Sequence, residues 1–201
     1  MKTKTINIYQ FSELSDEAKE RAIQNYRESN TEFFWSDEII ESLKGLFENC
    51  SGVSLKDWSL GESNSWIKVS FTSDEVEELS GKRAMSWIEN HLLSNIRIPC
   101  NSFALNGTRK KLAQYGSYYR AGMIKPCPFT GYCADDDFLD DLIKEIKSGT
   151  DLKTAFEGLA TVYQRIINNE IEYQNSDEYI SEHFESNNYE FDEDGNRFLI
   201  F

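Results

Sequence analysis

Ser65-Trp-Ile-Lys-Val-Ser-Phe-Thr72 alternates without a break. Ile67, Val69 and Phe71 fall on one side of an extended chain, and Trp66, Lys68, Ser70 and Thr72 on the other. A period of two marks a half-buried strand. The apolar trio is its core face, which leaves Trp66 partly exposed and hints at a contact surface. Residues 53–60 form a second strand, joined to the first through Gly61-Glu-Ser-Asn64. Residues 5–11 alternate in the same way, with Ile6 and Ile8 facing inward and Tyr9 or Phe11 as further inward candidates. At the other end, Tyr189-Glu-Phe191, Asp192-Glu-Asp-Gly-Asn196 and Arg197-Phe-Leu-Ile-Phe201 spell a hairpin. Its Asp194-Gly195 pair suits a tight turn with positive φ.

Between these strands the period changes to that of helices. Ser15 reads as an N-cap, with Asp16 and Glu17 in the positive first turn of a helix ending near Ser29-Asn30. Ala18, Ala22 and Tyr26 share a face of that helix, and Glu17 is spaced to pair with Arg21. Ser36, Asp37 and Glu38 open a second helix with an apolar stripe of Ile39, Ile40, Leu43, Leu46 and Phe47. A third runs from about Lys82 to Leu93 and places His91 on its apolar side as a core histidine. Asp135-Asp-Asp137 caps a fourth, whose stripe is Phe138, Leu142, Ile143 and Ile146 and whose stop is Gly149. From Asp151 a long helix repeats Leu152, Leu159, Ile166 and Tyr173 every seven residues. The set breaks at Glu170, so it reads as an antiparallel helical pair packed on the sheet, and a repeat of only about three heptads argues against a free coiled coil. Ser176 to Glu185 is a last short helix.

Strands at both ends and in the middle, with helices between them, predict an α+β fold: a small antiparallel sheet of N-terminal strand, central strand pair and C-terminal hairpin, covered on one face by amphipathic helices. The first and last strands are expected to be neighbours. A length of 201 residues, 39% hydrophobic and 13% aromatic content, and only three prolines indicate a single ordered domain, 1–201.

Charge divides that domain. Residues 1–131 hold 17 Asp/Glu against 16 Lys/Arg, whereas residues 132–201 hold 18 against 5, so the acidic helical part carries nearly all of the net −14. Such a field repels nucleic acid and anionic membrane and speeds encounter with basic surfaces. The basic concentration at Arg109, Lys110, Lys111 and Arg120, set among Tyr115, Tyr118 and Tyr119, is too small for a nucleic-acid footprint and reads as a solvated turn. No secretory signal and no membrane span is visible, so the chain is expected in a cytoplasm, with its four cysteines reduced and mostly buried.

Chemistry is thinly written. Cys127 and Cys133 enclose five residues, outside zinc-knuckle spacing, and no metal or other cofactor is expected. The acids Asp135, Asp136, Asp137, Asp140 and Asp141 have the composition of a divalent-cation site, but a helix dipole favours acids at that position anyway. Aligning Gly195 with the sixth position of a calcium loop puts Phe201 where the bidentate Glu belongs. Phosphate loops and nucleophile elbows are absent, and two histidines leave little general acid–base chemistry. A non-enzymatic binding protein is the expectation.

Three blocks of the chain resemble a family of uncharacterised phage and prophage proteins, some labelled as the antitoxin of a toxin–antitoxin stability system. They are Ile6-Asn-Ile-Tyr-Gln-Phe through Ala22-Ile-Gln-Asn-Tyr-Arg27 with Trp35-Ser-Asp37, Glu41 and Lys44; Tyr115-Gly-Ser-Tyr-Tyr-Arg-Ala-Gly-Met123; and Ser176-Asp-Glu178 with Tyr189 to Arg197. The chain departs from that family at Gly61 to Trp66. The resemblance implies a phage origin but no catalytic residue. With the acidic field it suggests an inhibitor that binds a host protein of basic surface, a nucleic-acid-handling defence factor, in the bacterial cytoplasm, with nucleic-acid mimicry as its mode. The expected partner-binding acids are Asp135, Asp136, Asp137, Asp140, Asp141, Glu170, Glu172, Asp177 and Glu178. An antitoxin neutralising a cognate toxin and a carboxylate metal-dependent hydrolase are the alternatives.

Overall fold

The computed structural model describes residues 7–29, 36–98, 123–124 and 126–198, and their contacts fall into two units. A terminal unit joins residues 1–34 to 168–201, and a central unit holds 35–167. The boundaries differ from the change of charge at 131/132: the acidic helix that follows Cys133 belongs to the central unit. The basic and tyrosine-rich stretch around Arg109–Arg120, Cys100 and the last three residues lie outside the described residues.

In the terminal unit, strand β1 (Tyr9–Gln10) pairs antiparallel with a strand near the far end of the chain, Glu190–Phe191, with Tyr9 opposite Phe191. The neighbouring first and last strands are as expected. That register puts Tyr9 and Phe11 on the core side, so Ile8, expected inward, is 44% exposed. A single 3-10 turn at Phe11–Glu13 leads into helix α1 (Asp16–Ser29). Ser15 Oγ accepts from the Ala18 amide at 3.3 Å, so the predicted cap is in place. Ala18 and Ala22 are small enough to admit the aromatic core of Phe11, Phe184 and Phe191, whose ring centroids lie 5.1–6.0 Å apart. The chain closes as the predicted hairpin. Asp192 Oδ1 accepts from the Asp194 and Asn196 amides, Phe191 bridges Arg197, and Gly195 sits at φ +84°. Arg21 reaches across to Asp194 instead of pairing with Glu17.

The central unit is built around Phe156. Helix α2 (Ser36–Asn49) is followed by β2 (Val53–Ser59) and β3 (Trp66–Phe71), an antiparallel pair with Val53 opposite Phe71. Ile67, Val69 and Phe71 are buried and Trp66 is 36% exposed, as the alternation requires. Short helix α3 (Asp74–Glu77) leads to α4 (Gly81–Ile88), which continues through a π turn at Glu89–Leu93 into α5 (Ser94–Ile96). Strands β4 (Arg97–Ile98) and β5 (Met123–Ile124) pair antiparallel. Helix α6 (Ala134–Ser148) buries Phe138, Leu142 and Ile146 against α2 and α4 and ends at Gly149. α7 (Leu152–Glu157) lays Phe156 among Phe47, Phe71 and Trp87, with centroids 5.6–6.5 Å away.

The α+β class holds, but the single sheet does not. Among the described residues β1 pairs only with β6 (Glu190–Phe191), β2 only with β3 and β4 only with β5. Alternation identifies strands without naming their partners, and three short pairs satisfy it as well as one sheet. The long helix is also interrupted. Gly158 separates α7 from α8 (Leu159–Gln174), and the boundary between units falls inside α8. α7 packs on β3 and α6, and α8 reaches α6 through the Arg165–Asp141 ion pair. Helix α9 (Asp177–Ser186) starts where expected, with Ser176 Oγ accepting from the Tyr179 amide.

Gly195 tests the closure of the terminal unit, because a Cβ there would lie 2.2 Å from the Ala18 carbonyl oxygen. Gly195→Ala combines that overlap with a left-handed backbone and should destabilise the terminal unit by about 2–4 kcal/mol. Amide exchange in α1 and α9 should accelerate while that in α6 does not; unchanged protection of α1 would refute the contact.

Candidate functional site

The nine acids expected to form one partner-binding face have different roles and belong to different units. Asp135 to Asp141 lie in the central unit, and Glu170 to Glu178 in the terminal unit.

Asp135 is a correction. It is fully buried, and its carboxylate accepts from the amides of Phe129, Thr130 and Gly131 at 2.7–3.1 Å and from Thr130 Oγ1 at 2.9 Å. Four donors on one carboxylate are what makes a buried acid tolerable. The residues it gathers dock on α2: Thr130 Oγ1 lies 3.1 Å from buried Ser42 Oγ, and the Phe129 Cβ sits 2.8 Å from where a Cβ on Gly45 would be. Asp135 fastens a loop and is closed to any partner.

Its neighbours are also partly committed. Asp136 accepts from the Cys127 amide at 3.1 Å. Asp141, with its side chain 19% exposed, pairs with Arg165 at 2.5 Å. Asp137 and Asp140 alone are exposed. Partial burial raises the Asp137 carboxyl above its ordinary value, Arg165 opposes that rise, and Asp141, Asp140 and Asp136 add to it. A shallow cleft of about 350 Å³ adjoins this stretch, lined by Asp141, Glu145, Leu159, Val162 and Arg165 among others.

The thiols differ from the expectation of burial. Cys50 is buried, and burial pushes its thiol up to about 12. Cys127 is half-buried and Cys133 exposed, and all three are free. Partial burial and the Asp136 carboxylate raise the Cys127 thiol, away from the low-pKa condition of a reactive cysteine. His91, expected in the core, is half-buried; it stacks on Trp87 at 4.3 Å and its Nδ1 lies 3.0 Å from Ser51 Oγ. His183 contacts the Tyr189 hydroxyl at 3.2 Å, and burial followed by nearby Arg197 holds it below its ordinary value. Among the described residues no group of three or more His, Cys, Asp or Glu is arranged to hold a metal ion.

The terminal unit is where charge concentrates. Its two segments hold 16 Asp/Glu against 6 Lys/Arg, a net −10 of the chain's −14. Arg27 ties α1 to the start of α9, donating from Nε to the Asn175 carbonyl at 2.8 Å and pairing with Asp177. Glu170 is half-buried and accepts from Gln174 at 2.8 Å. Glu172 and Glu178 are exposed, and so are Glu182 and Glu185, which the sequence reading did not select. Their signal was present: Glu178, Glu182 and Glu185 follow at i, i+4 and i+7, opposite the buried Ile180 and Phe184. The outcome is a helix that presents carboxylates along its exposed face. Comparison with protein-family models, curated proteins and solved structures returns no match.

Asp135→Asn replaces an acceptor with an amide NH₂ facing backbone donors, and should cost the central unit about 2–4 kcal/mol. Asp137→Asn and Asp140→Asn should stay within about 0.5 kcal/mol of wild type. Urea unfolding distinguishes them, and equal effects for the three would overturn the roles assigned here.

Proposed function

We propose that the protein works by binding, as a phage-encoded inhibitor whose terminal unit occupies the basic surface of a nucleic-acid-handling host protein in the bacterial cytoplasm. One observation carries this reading: 16 acids against 6 bases are gathered in a 68-residue unit, and Glu170, Glu172, Asp177, Glu178, Glu182 and Glu185 among them ride on α8 and α9, with α9 held by an aromatic core. Among the described residues of that unit, two ion pairs, Arg21 with Asp194 and Arg27 with Asp177, use part of the charge. Glu172, Glu178, Glu182 and Glu185 remain exposed.

Ordered carboxylates differ from a flexible acidic tail in holding their spacing. Residues three and four apart on a helix stand about 5–6 Å from each other, so α9 offers a regular row of negative charge to a groove that normally holds phosphates. Each exposed pair formed with such a groove contributes only about 0.2–1 kcal/mol. The row therefore acts first on association rate and on choice of partner, and its effect weakens with salt. The family resemblance, with its phage origin, supports a host protein as the target. Of the five acids first selected between Asp135 and Asp141, only Asp137 and Asp140 have the exposure this role requires.

The test is affinity purification from the bacterial host with wild type and an E178Q/E182Q/E185Q variant as baits. Wild type should retain a nucleic-acid-binding protein that duplex DNA and high salt displace, and the variant should bind it about tenfold more slowly. Retention indifferent to charge, salt and DNA would reject the reading. Capture of a toxin encoded beside this chain would assign the antitoxin role instead.

A further inference from the structure

A row of exposed carboxylates steers a partner but holds it weakly, and interfaces draw most of their affinity from a few aromatic or arginine anchors. Four large apolar side chains are exposed among the described residues: Ile8, Trp58, Trp66 and Tyr173. Tyr173 is the most open of them at 54%, and it lies in the terminal unit beside the acidic row. The heptad spacing that buries Leu152 and Leu159 would have placed Tyr173 on the same apolar stripe; instead it stands in water near the end of α8. Its ring is not loose. It packs edge-on against Tyr179, with centroids 5.2 Å apart and planes at 62°. Tyr179 in turn is partly buried against the aromatic core and follows the Ser176 cap of α9.

The surroundings define what such a ring would receive. Glu170 and Glu172 lie within three residues of Tyr173 in the sequence of α8, and Asp177 and Glu178 adjoin Tyr179 in that of α9; Gln174 holds Glu170 and Arg27 holds Asp177, which leaves Glu172 and Glu178 as the exposed carboxylates outside any ion pair among the described residues. An apolar partner group placed there would strip water from carboxylates without pairing them. A guanidinium satisfies both features at once, because its flat face stacks on an aromatic ring while its N–H donors reach carboxylates. The same unit already contains this pairing, with the Arg197 guanidinium carbon 3.8 Å from the centre of the Tyr189 ring.

We propose that Tyr173, braced by Tyr179, is the anchor at which the acidic surface takes an arginine side chain of its protein partner. The proposal rests on the binding reading above and adds to it a specific residue and a specific partner chemistry. Tyr173 is thereby a selector: the carboxylate row accepts any cation, and the ring favours arginine over lysine.

The probes are an oligoarginine and an oligolysine peptide of equal length, titrated against the full chain at low salt. Wild type should bind oligoarginine more tightly than oligolysine. Tyr173→Ala should weaken oligoarginine binding about two- to fivefold while leaving oligolysine unchanged, and Tyr173→Phe, which keeps the ring, should retain the preference. The ring's exposure makes all three folded proteins comparable, and circular dichroism checks that they are. If Y173A binds both peptides as wild type does while E178Q/E182Q/E185Q weakens both, the anchor is refuted and the acidic row stands. If neither variant weakens either peptide, both are refuted.

Discussion

The closure of the two ends of the chain on each other, with Gly195 against the Ala18 carbonyl, is the contact on which the acidic unit depends. Residues 168–201 carry ten acids and one base, and alone they would have only the apolar faces of α9 and the hairpin to order them. Phe11, Ala18, Ala22 and Ile23 supply the missing half of the core, and Phe184 and Phe191 are buried in it. Each fully buried phenylalanine contributes about 1.5–3 kcal/mol. The exposed ion pairs of Arg21 and Arg27 contribute at most about 1 kcal/mol each. Burial therefore decides that this highly charged segment is folded, and the ion pairs add two links between it and α1.

In the central unit the corresponding fastening is polar. Asp135 draws three backbone amides and a hydroxyl into one point, and through Thr130, Ser42 and Phe129 it fixes the loop before α6 onto α2. The two units thus use acids in opposite ways. One spends an acid in the interior to hold a loop, and the other keeps its acids on the outside of a helix. A count of negative charge alone cannot separate the two uses.

Some of this was legible in the sequence. The 3.6-residue stripes located α1, α2, α6 and α9, and the alternation of Ile67, Val69 and Phe71 gave β3 and the exposed Trp66 correctly. The buried Asp135 was also legible in principle, since it precedes Phe138, Leu139 and Leu142 at i+3, i+4 and i+7 and so belongs to the apolar stripe of α6. It was read as a dipole-favoured cap because its neighbours Asp136 and Asp137 are acidic too. Strand pairing was not legible, because alternation carries no information on partners, and Ile8 went to the wrong side with the register. Nor was the break at Gly158, which the heptad repeat concealed; the break expected at Glu170 falls inside the continuous α8.

The claim that the α8–α9 carboxylates meet a basic partner is tested most directly by zero-length carbodiimide cross-linking of the protein bound to the host protein it captures, since that chemistry joins only carboxylates already touching amines. Cross-links from Glu172, Glu178, Glu182 and Glu185 to lysines of the partner's nucleic-acid groove are the predicted result. Cross-links confined to Asp137 and Asp140, or to lysines remote from that groove, would contradict it.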